Sequence, residues 1–162
     1  MTLIQNLYKQ WALQAGNIMQ SLGFFMPGIY LPTYAREVGL SSTQGALMVA
    51  LFNTTSVFGT ITLGSLTDKM HVTSVIFISS IGATLSVFLV WGFAVTLPVL
   101  CLFSLLYGFF AGGYTATWTG VIHELKKEDD RVEIALMFGV LAAGRLVIGL
   151  TQLRFGLASI AD

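Results

Sequence analysis

The stretch VTSVIFISSIGATLSVFLVWGFAVTLPVLCLFSLLYGFFAGGYTATWTGVI, residues 72–122, runs for 51 residues without an Asp, Glu, Lys or Arg. A helix that crosses the roughly 30 Å of hydrocarbon in a bilayer needs about 20 apolar residues. The run is too long for one such helix and has to fold back on itself, with Thr96 and Pro98 marking the hairpin. Two further charge-free runs precede it, 26 residues from Gln10 to Ala35 and 30 residues from Val38 to Thr67. A water-soluble domain carries charge on every exposed face. Here 162 residues hold only 8 Lys+Arg and 8 Asp+Glu, 55% of the chain is hydrophobic, and mean hydropathy is +0.79. The fold class that follows is an all-α polytopic membrane protein.

Turn residues and charge gaps divide the chain into five transmembrane spans, at about 12–33, 43–65, 72–93, 97–120 and 134–152. Residues 1–11 form a short interfacial lead-in that places Leu3, Leu7 and Trp11 on one helical face. Pro27 and Pro32 each remove one backbone hydrogen bond from the first span, which is expected to bend or loosen in its second half. Tyr34 to Leu40 is a short loop, and Ser41-Ser-Thr-Gln44 has the spacing of a capping box at the start of the second span. Gly64 to His71 is a tight polar turn. His123 to Arg131, the most charged stretch of the chain, reads as a solvated loop, and residues 153–162 as a divergent tail.

Lys9, Lys69, Lys126, Lys127 and Arg131 fall on one side of this topology, and Arg36 and Arg154 on the other. The positive-inside rule puts the five-residue side, and with it the N-terminus, in the cytoplasm. An odd number of spans then places the C-terminus outside. In the fourth span Gly108, Gly112, Ala116 and Gly120 recur every four residues, a small-residue face that lets another helix approach closely.

Several functions are excluded by what is missing. Net charge is zero and there is no basic stripe, which argues against nucleic acid. The single cysteine, Cys101, lies in an apolar run, and His71 and His123 stand far apart beside charged loops, so no metal or cofactor is expected. No Asp or Glu lies in any span, as an intramembrane hydrolase would require, and no phosphate-binding G-x-x-x-x-G-K-[ST] occurs. The protein is not expected to be an enzyme.

The turn Gly64-Ser-Leu66-Thr-Asp68-Lys69 resembles the G-x-L-x-D-[RK] signature between paired helices of major facilitator superfamily transporters. Residues 14–34 (QAGNIMQSLGFFMPGIYLPTY), 52–59 (FNTTSVFG) and 113–120 (GYTATWTG) are similar to the fungal monocarboxylate-porter-like branch of that superfamily. The resemblance covers about residues 10 to 145. It implies that the five spans correspond to the seventh through eleventh helices of a twelve-helix carrier, a partial six-helix half, with the turn latching one side of the membrane against the other half. Two departures are evident. Thr60 stands where the branch commonly has an arginine, and after Arg145 the Gly-rich run typical of the branch gives way to Leu-Val-Ile-Gly-Leu-Thr-Gln, as expected of a truncated chain or a misread gene boundary.

Gly64 permits a close turn and Asp68 is placed to accept N–H groups at the start of the next helix, while Lys69 can meet anionic headgroups or an acidic partner. Arg145 is the one ionisable residue inside a span, about 16 Å along it, and is a candidate for binding a carboxylate bidentately; a structural or snorkelling arginine is the other reading. Tyr30, Asn53, Tyr114 and Trp118 are further candidates to line a midplane cavity, with packing or an interfacial belt as the alternative. The expected function is transport of a small solute, with a carboxylate as one candidate, by part of an alternating-access carrier. The expected partners are the lipid bilayer, the solute, and a complementary half or a second copy of the chain. The competing function is that of a truncated, non-transporting protein that packs on or regulates a carrier.

Overall fold

The computed structural model describes residues 3–93, 95–128 and 133–161, with the side chains of Tyr8 and of residues 10–93, 95–127 and 133–154. The described residues are helical almost throughout, with no strand among them. Helix α1 spans Leu3–Glu37, α2 Ser42–Thr67, α3 Val72–Leu85, α4 Leu97–Gly112, α5 Thr117–Glu128 and α6 Ile134–Ala161. A π-helical turn, Ser86–Val90, and a 3₁₀ turn, Trp91–Phe93, extend α3; a 3₁₀ segment, Gly113–Ala116, joins α4 to α5. Five rods result, because α3 and its extensions form one and α4, its break and α5 form another.

Four of the rods are long and apolar enough to cross a membrane, with mean hydropathy between 1.5 and 2.0 over their most apolar windows. At 35 residues α1 has the length, but Gln14, Asn17, Gln20 and Ser21 dilute its apolar content. It lies within the bundle against α2 and α6.

The turns follow their local chemistry. The expected capping box is present at α2: Ser41 Oγ accepts from Gln44 N at 3.3 Å, and Gln44 Oε1 accepts from Ser41 N at 2.8 Å. The residues expected to form a loop from Tyr34 are instead the last turn of α1. That turn closes at Gly39, whose φ of +84° is the left-handed conformation glycine adopts without strain. Leu40 N donates to Ala35 O and Gly39 N to Arg36 O, which satisfies carbonyls the helix end would orphan.

Two helices run further than their expected spans. His123–Glu128, expected in a solvated loop, is helical because α5 is amphipathic. Ile122 is fully buried and Leu125 packs beside it, while His123, Glu124, Lys126 and Lys127 face outward. Lys126 and Lys127 also fall in its last turn, where positive charge complements the helix dipole. Residues 129–132 lie outside the described residues. The expected tail from 153 continues α6 to Ala161 with no helix-breaking Pro to end it. At the other end α1 begins at Leu3, so the expected lead-in is continuous with the first rod; Trp11 is exposed there, and the side chains of Leu3 and Leu7 are outside the described set.

Contacts are most extensive between α2 and α4, then between α1 and its neighbours α6 and α2, while α3 lies along α4. One core, between α1, α2 and α4, holds Leu31, Met48, Phe52, Leu100, Phe103 and Tyr107. A smaller one, between α1, α5 and α6, holds Ile122, Met137 and Leu141 with Trp118 against them. Large apolar side chains such as Phe77, Ile81, Phe88, Leu146 and Leu150 point outward, as lipid-facing positions do.

Candidate functional site

Asn17, Gln20 and Phe24 follow one another at intervals of three and four residues on α1, which puts them on the side that meets α6. Asn17 is buried and its amide Nδ2 donates to Leu141 O at 2.8 Å; Ser21 Oγ in turn donates to Asn17 O at 2.7 Å. Leu141 is one helical turn before Arg145, so this bond fixes the height of α6 beside Gln20. Arg145 Nη1 donates to Gln20 Oε1 at 2.8 Å, and its guanidinium carbon lies 4.4 Å from the centre of the Phe24 ring and 5.5 Å from that of Phe25. A guanidinium over an aromatic face contributes about 0.5–2 kcal/mol, more as water is excluded.

No carboxylate is present in any of the five spans, so the Arg145 charge is held by a neutral amide and ring faces. Of the five donors on a guanidinium, one is engaged among the described residues. Its remaining donors have the fork geometry that pairs with planar oxygen acceptors. The Tyr114 hydroxyl lies on the same stretch of α1, 4.0 Å from where a methyl on Gly16 would sit.

The other candidates are dispersed. Trp118, one turn beyond Tyr114, packs against the cluster of Ile122, Met137 and Leu141, and its indole N–H is buried without a partner among the described residues. Tyr30 is partly exposed at the edge of a cavity of about 530 Å³, whose walls include Met26, Pro27, Val87 and Trp91. Asn53 is exposed on α2 and donates to its own helix at Val49 O, 2.9 Å away. The structure thus places Tyr114 and Trp118 near the α1 and α6 seam that holds Arg145, and sets Tyr30 and Asn53 apart.

The turn residues occupy one end of the bundle. Gly64 sits against Ala116, Asp68 is the C-cap of α2, and Lys69 N donates to Leu66 O at 3.1 Å. Among the described residues Asp68 takes no N–H from the first turn of α3, whose N-cap is His71. Asp68, Lys69 and His71 share a cleft of about 440 Å³ with His123, Glu124 and Lys127, and His71 Nδ1 lies 3.8 Å from Glu124 Oε1.

The small face of the fourth span divides between two neighbours, α2 and α3. A methyl on Gly108 would meet Phe52 O at 2.5 Å, and one on Gly112 would meet Ser56 Cβ at 2.5 Å, both on α2. Ala116 faces Gly64, and Gly120 faces Val72 of α3. Gly59 and Gly113 complete the α2 contact: a methyl on Gly59 would run into Phe109 O.

Gln20 and Asn17 were not among the candidates read from the sequence. Their spacing on a helix otherwise rich in apolar residues was the available signal, but both are neutral and a search for charge passes over them.

A sequence model of the Major Facilitator Superfamily matches residues 14–156. An MFS-type transporter of Gibberella moniliformis is 30% identical over 142 residues, which cover 88% of this chain and 34% of that protein. The aspyridones efflux protein of Emericella nidulans is 33% identical over 93 residues, 57% of this chain and 19% of that one. Human monocarboxylate transporter 12 is 32% identical over 89 residues, 53% and 17% of the two chains. The chain spans about a third or less of the length of these relatives. No solved structure matches it.

Proposed function

Because the chain belongs to the major facilitator superfamily, we propose that it forms part of an alternating-access carrier that moves a small organic anion, with Arg145 binding the solute's carboxylate. The observation that carries this reading is the guanidinium held between helices by Gln20 and Phe24 with no carboxylate in any span. A permanent internal charge is costly at membrane depth and marks a binding or coupling site by default. One relative is named for the efflux of aspyridones and another for the transport of monocarboxylates, which supports a small organic solute. In carriers of this design the site lies between two helical halves, so the five rods would work with a complementary half or a second copy. Lys69, Lys126 and Lys127 at one end of the bundle support a cytoplasmic N-terminus.

The test compares transport of a labelled carboxylate, benzoate, with that of benzamide, its neutral counterpart, in cells producing the carrier that contains this chain. Benzoate transport is expected to exceed that of benzamide. Arg145→Gln should lower it roughly tenfold or more, as the loss of a charged hydrogen bond of about 1.5–3 kcal/mol requires. Arg145→Lys should retain part of it. Equal handling of acid and amide, or an unaffected Arg145→Gln carrier, would overturn the assignment.

A further inference from the structure

Three successive carbonyls at the end of α4 each receive a side chain from a different helix. Ser79 Oγ of α3 donates to Phe110 O at 2.7 Å, and Gln20 Nε2 of α1 to Ala111 O at 3.0 Å. Thr60 Oγ1 of α2 lies 3.4 Å from Gly112 O and shares its proton with Ser56 O at 2.8 Å. The 3₁₀ segment Gly113–Ala116 begins immediately afterwards. A 3₁₀ turn pairs each N–H with the carbonyl three residues back rather than four; Gly113 N still donates to Phe109 O, so the carbonyl passed over at the changeover is Phe110 O, which Ser79 takes. Gln20 adds a side-chain donor to the next carbonyl, Ala111 O. The same amide accepts from Arg145 through Oε1 at 2.8 Å, which fixes its orientation: the oxygen faces α6 and the nitrogen faces the break.

We propose that Gln20 is a positioning residue that couples the Arg145 site to the break in the fourth rod, so that a change at the guanidinium alters how firmly Gly113–Ala116 is held. Arg145 makes no direct bond to α4 among the described residues, yet one amide stands between it and Ala111 O, two residues before the break. An anion that draws the guanidinium away from Gln20 Oε1 removes the contact that aims Nε2 at Ala111 O. A short 3₁₀ stretch inside a long helix is a natural hinge, and this one lies where α2 and α4 touch most closely, at Gly59, Gly112 and Gly113. Solute binding would thereby reach the part of the bundle that has least slack. The coupling rests on the reading of Arg145 as the anion site, but its test needs no solute.

The test is amide hydrogen exchange on the whole chain in lipid nanodiscs, for wild type, Gln20→Met, Arg145→Gln, Arg145→Lys and the double variant Gln20→Met/Arg145→Gln. Gln20→Met should speed exchange over residues 113–117 about threefold to tenfold, the range expected when one hydrogen bond that restrains local opening is lost. Arg145→Gln should speed the same segment although it does not touch it, and the double variant should match Gln20→Met alone. Arg145→Lys, which keeps a donor near Gln20, should stay closer to wild type. Residues 46–56 of α2 serve as the internal reference and should be unchanged. No change at 113–117 in Arg145→Gln, a rise spread over the whole chain, or additive effects in the double variant would overturn the coupling. None of these outcomes depends on benzoate transport, so the anion assignment and the coupling can fail separately.

Discussion

Where α2 crosses α4 the helices meet through an absence of side chains; where α1 meets α6 they meet through long polar ones. At the first contact Gly59 lies against the Phe109 backbone, Gly108 against Phe52 O and Gly112 against Ser56. At the second, Gln14 packs its amide on Gly144, Asn17 donates to Leu141 O, Gln20 accepts from Arg145, and Gln152 donates to Leu22 O at 2.9 Å. In hydrocarbon there is little hydrophobic gain in bringing helices together, so association rests on dispersion at close approach or on hydrogen bonds between helices. Each interface is dominated by one mechanism, although Thr55 and Thr60 also bond across the first, to Ser104 O and Gly112 O. The first fixes a distance and has little slack. The second fixes a register along the helices, and its bonds can be exchanged for bonds to a solute.

The sharpest test of that contrast is Gly59→Ala. A methyl there collides with backbone, which cannot step aside as a flexible side chain does, and overpacking of this kind costs about 3 kcal/mol. The expected result is a marked loss of resistance to denaturing detergent, read as a lower unfolding midpoint in mixed micelles. Gly139→Ala on α6 is the comparison, because no atom lies within 4 Å of the added methyl. It should be neutral or stabilising by up to about 1 kcal/mol, the helix-propensity difference between the two residues. If the two substitutions cost the same, close approach is not what joins α2 to α4.

The polar seam should respond more gently. Asn17→Ala removes the bond to Leu141 O and leaves a small cavity in a fully packed position, for an expected loss of about 1–2 kcal/mol. The cost is limited because Leu141 O retains its helical donor and because Asn17 Oδ1 is already buried without a partner among the described residues. The same unfolding assay reads the effect. A loss as large as that of Gly59→Ala would mean that the seam, and not the glycine contact, sets the stability of the bundle.

The contrast also separates what the sequence discloses from what it conceals. Long uncharged runs between charged turns disclose five rods, since helix length and hydrocarbon thickness leave few alternatives. The four-residue repeat from Gly108 to Gly120 discloses a close helix contact, though not that its members would divide among Phe52, Ser56, Gly64 and Val72. Arg145 stands out as a charge at depth, but its partner Gln20 lies 125 positions away and carries no charge. A neutral amide in an apolar helix looks like dilution of hydropathy until the facing helix is known. Tyr30 and Asn53 have suitable chemistry for a site, yet residue type does not reveal which way a helix face turns, and both sit away from Arg145. The 3₁₀ break at Gly113–Ala116 was hidden for a related reason. It depends on carbonyls taken by Ser79 and Gln20, residues distant in sequence.

The smallest effect concerns a second displaced carbonyl, this time on α1. Pro27 has no N–H, so Gly23 O lacks its α-helical donor, and the Tyr107 hydroxyl supplies one at 2.9 Å. Tyr107 also stacks on Phe103 with ring centres 5.3 Å apart, so packing alone could account for its position. Tyr107→Phe keeps the ring and removes only the donor, at an expected cost of about 0.5–1 kcal/mol. Pro27→Ala restores an N–H to Gly23 O, and in that background the same substitution should cost almost nothing. The cycle of four proteins therefore isolates the hydrogen bond from the ring. Equal costs in the two backgrounds would make the hydroxyl incidental and Tyr107 a packing residue. A cost confined to the Pro27 background would show that α1 carries its proline through the bundle because α4 completes its backbone, as Ser79 of α3 completes the backbone of α4 at Phe110 O.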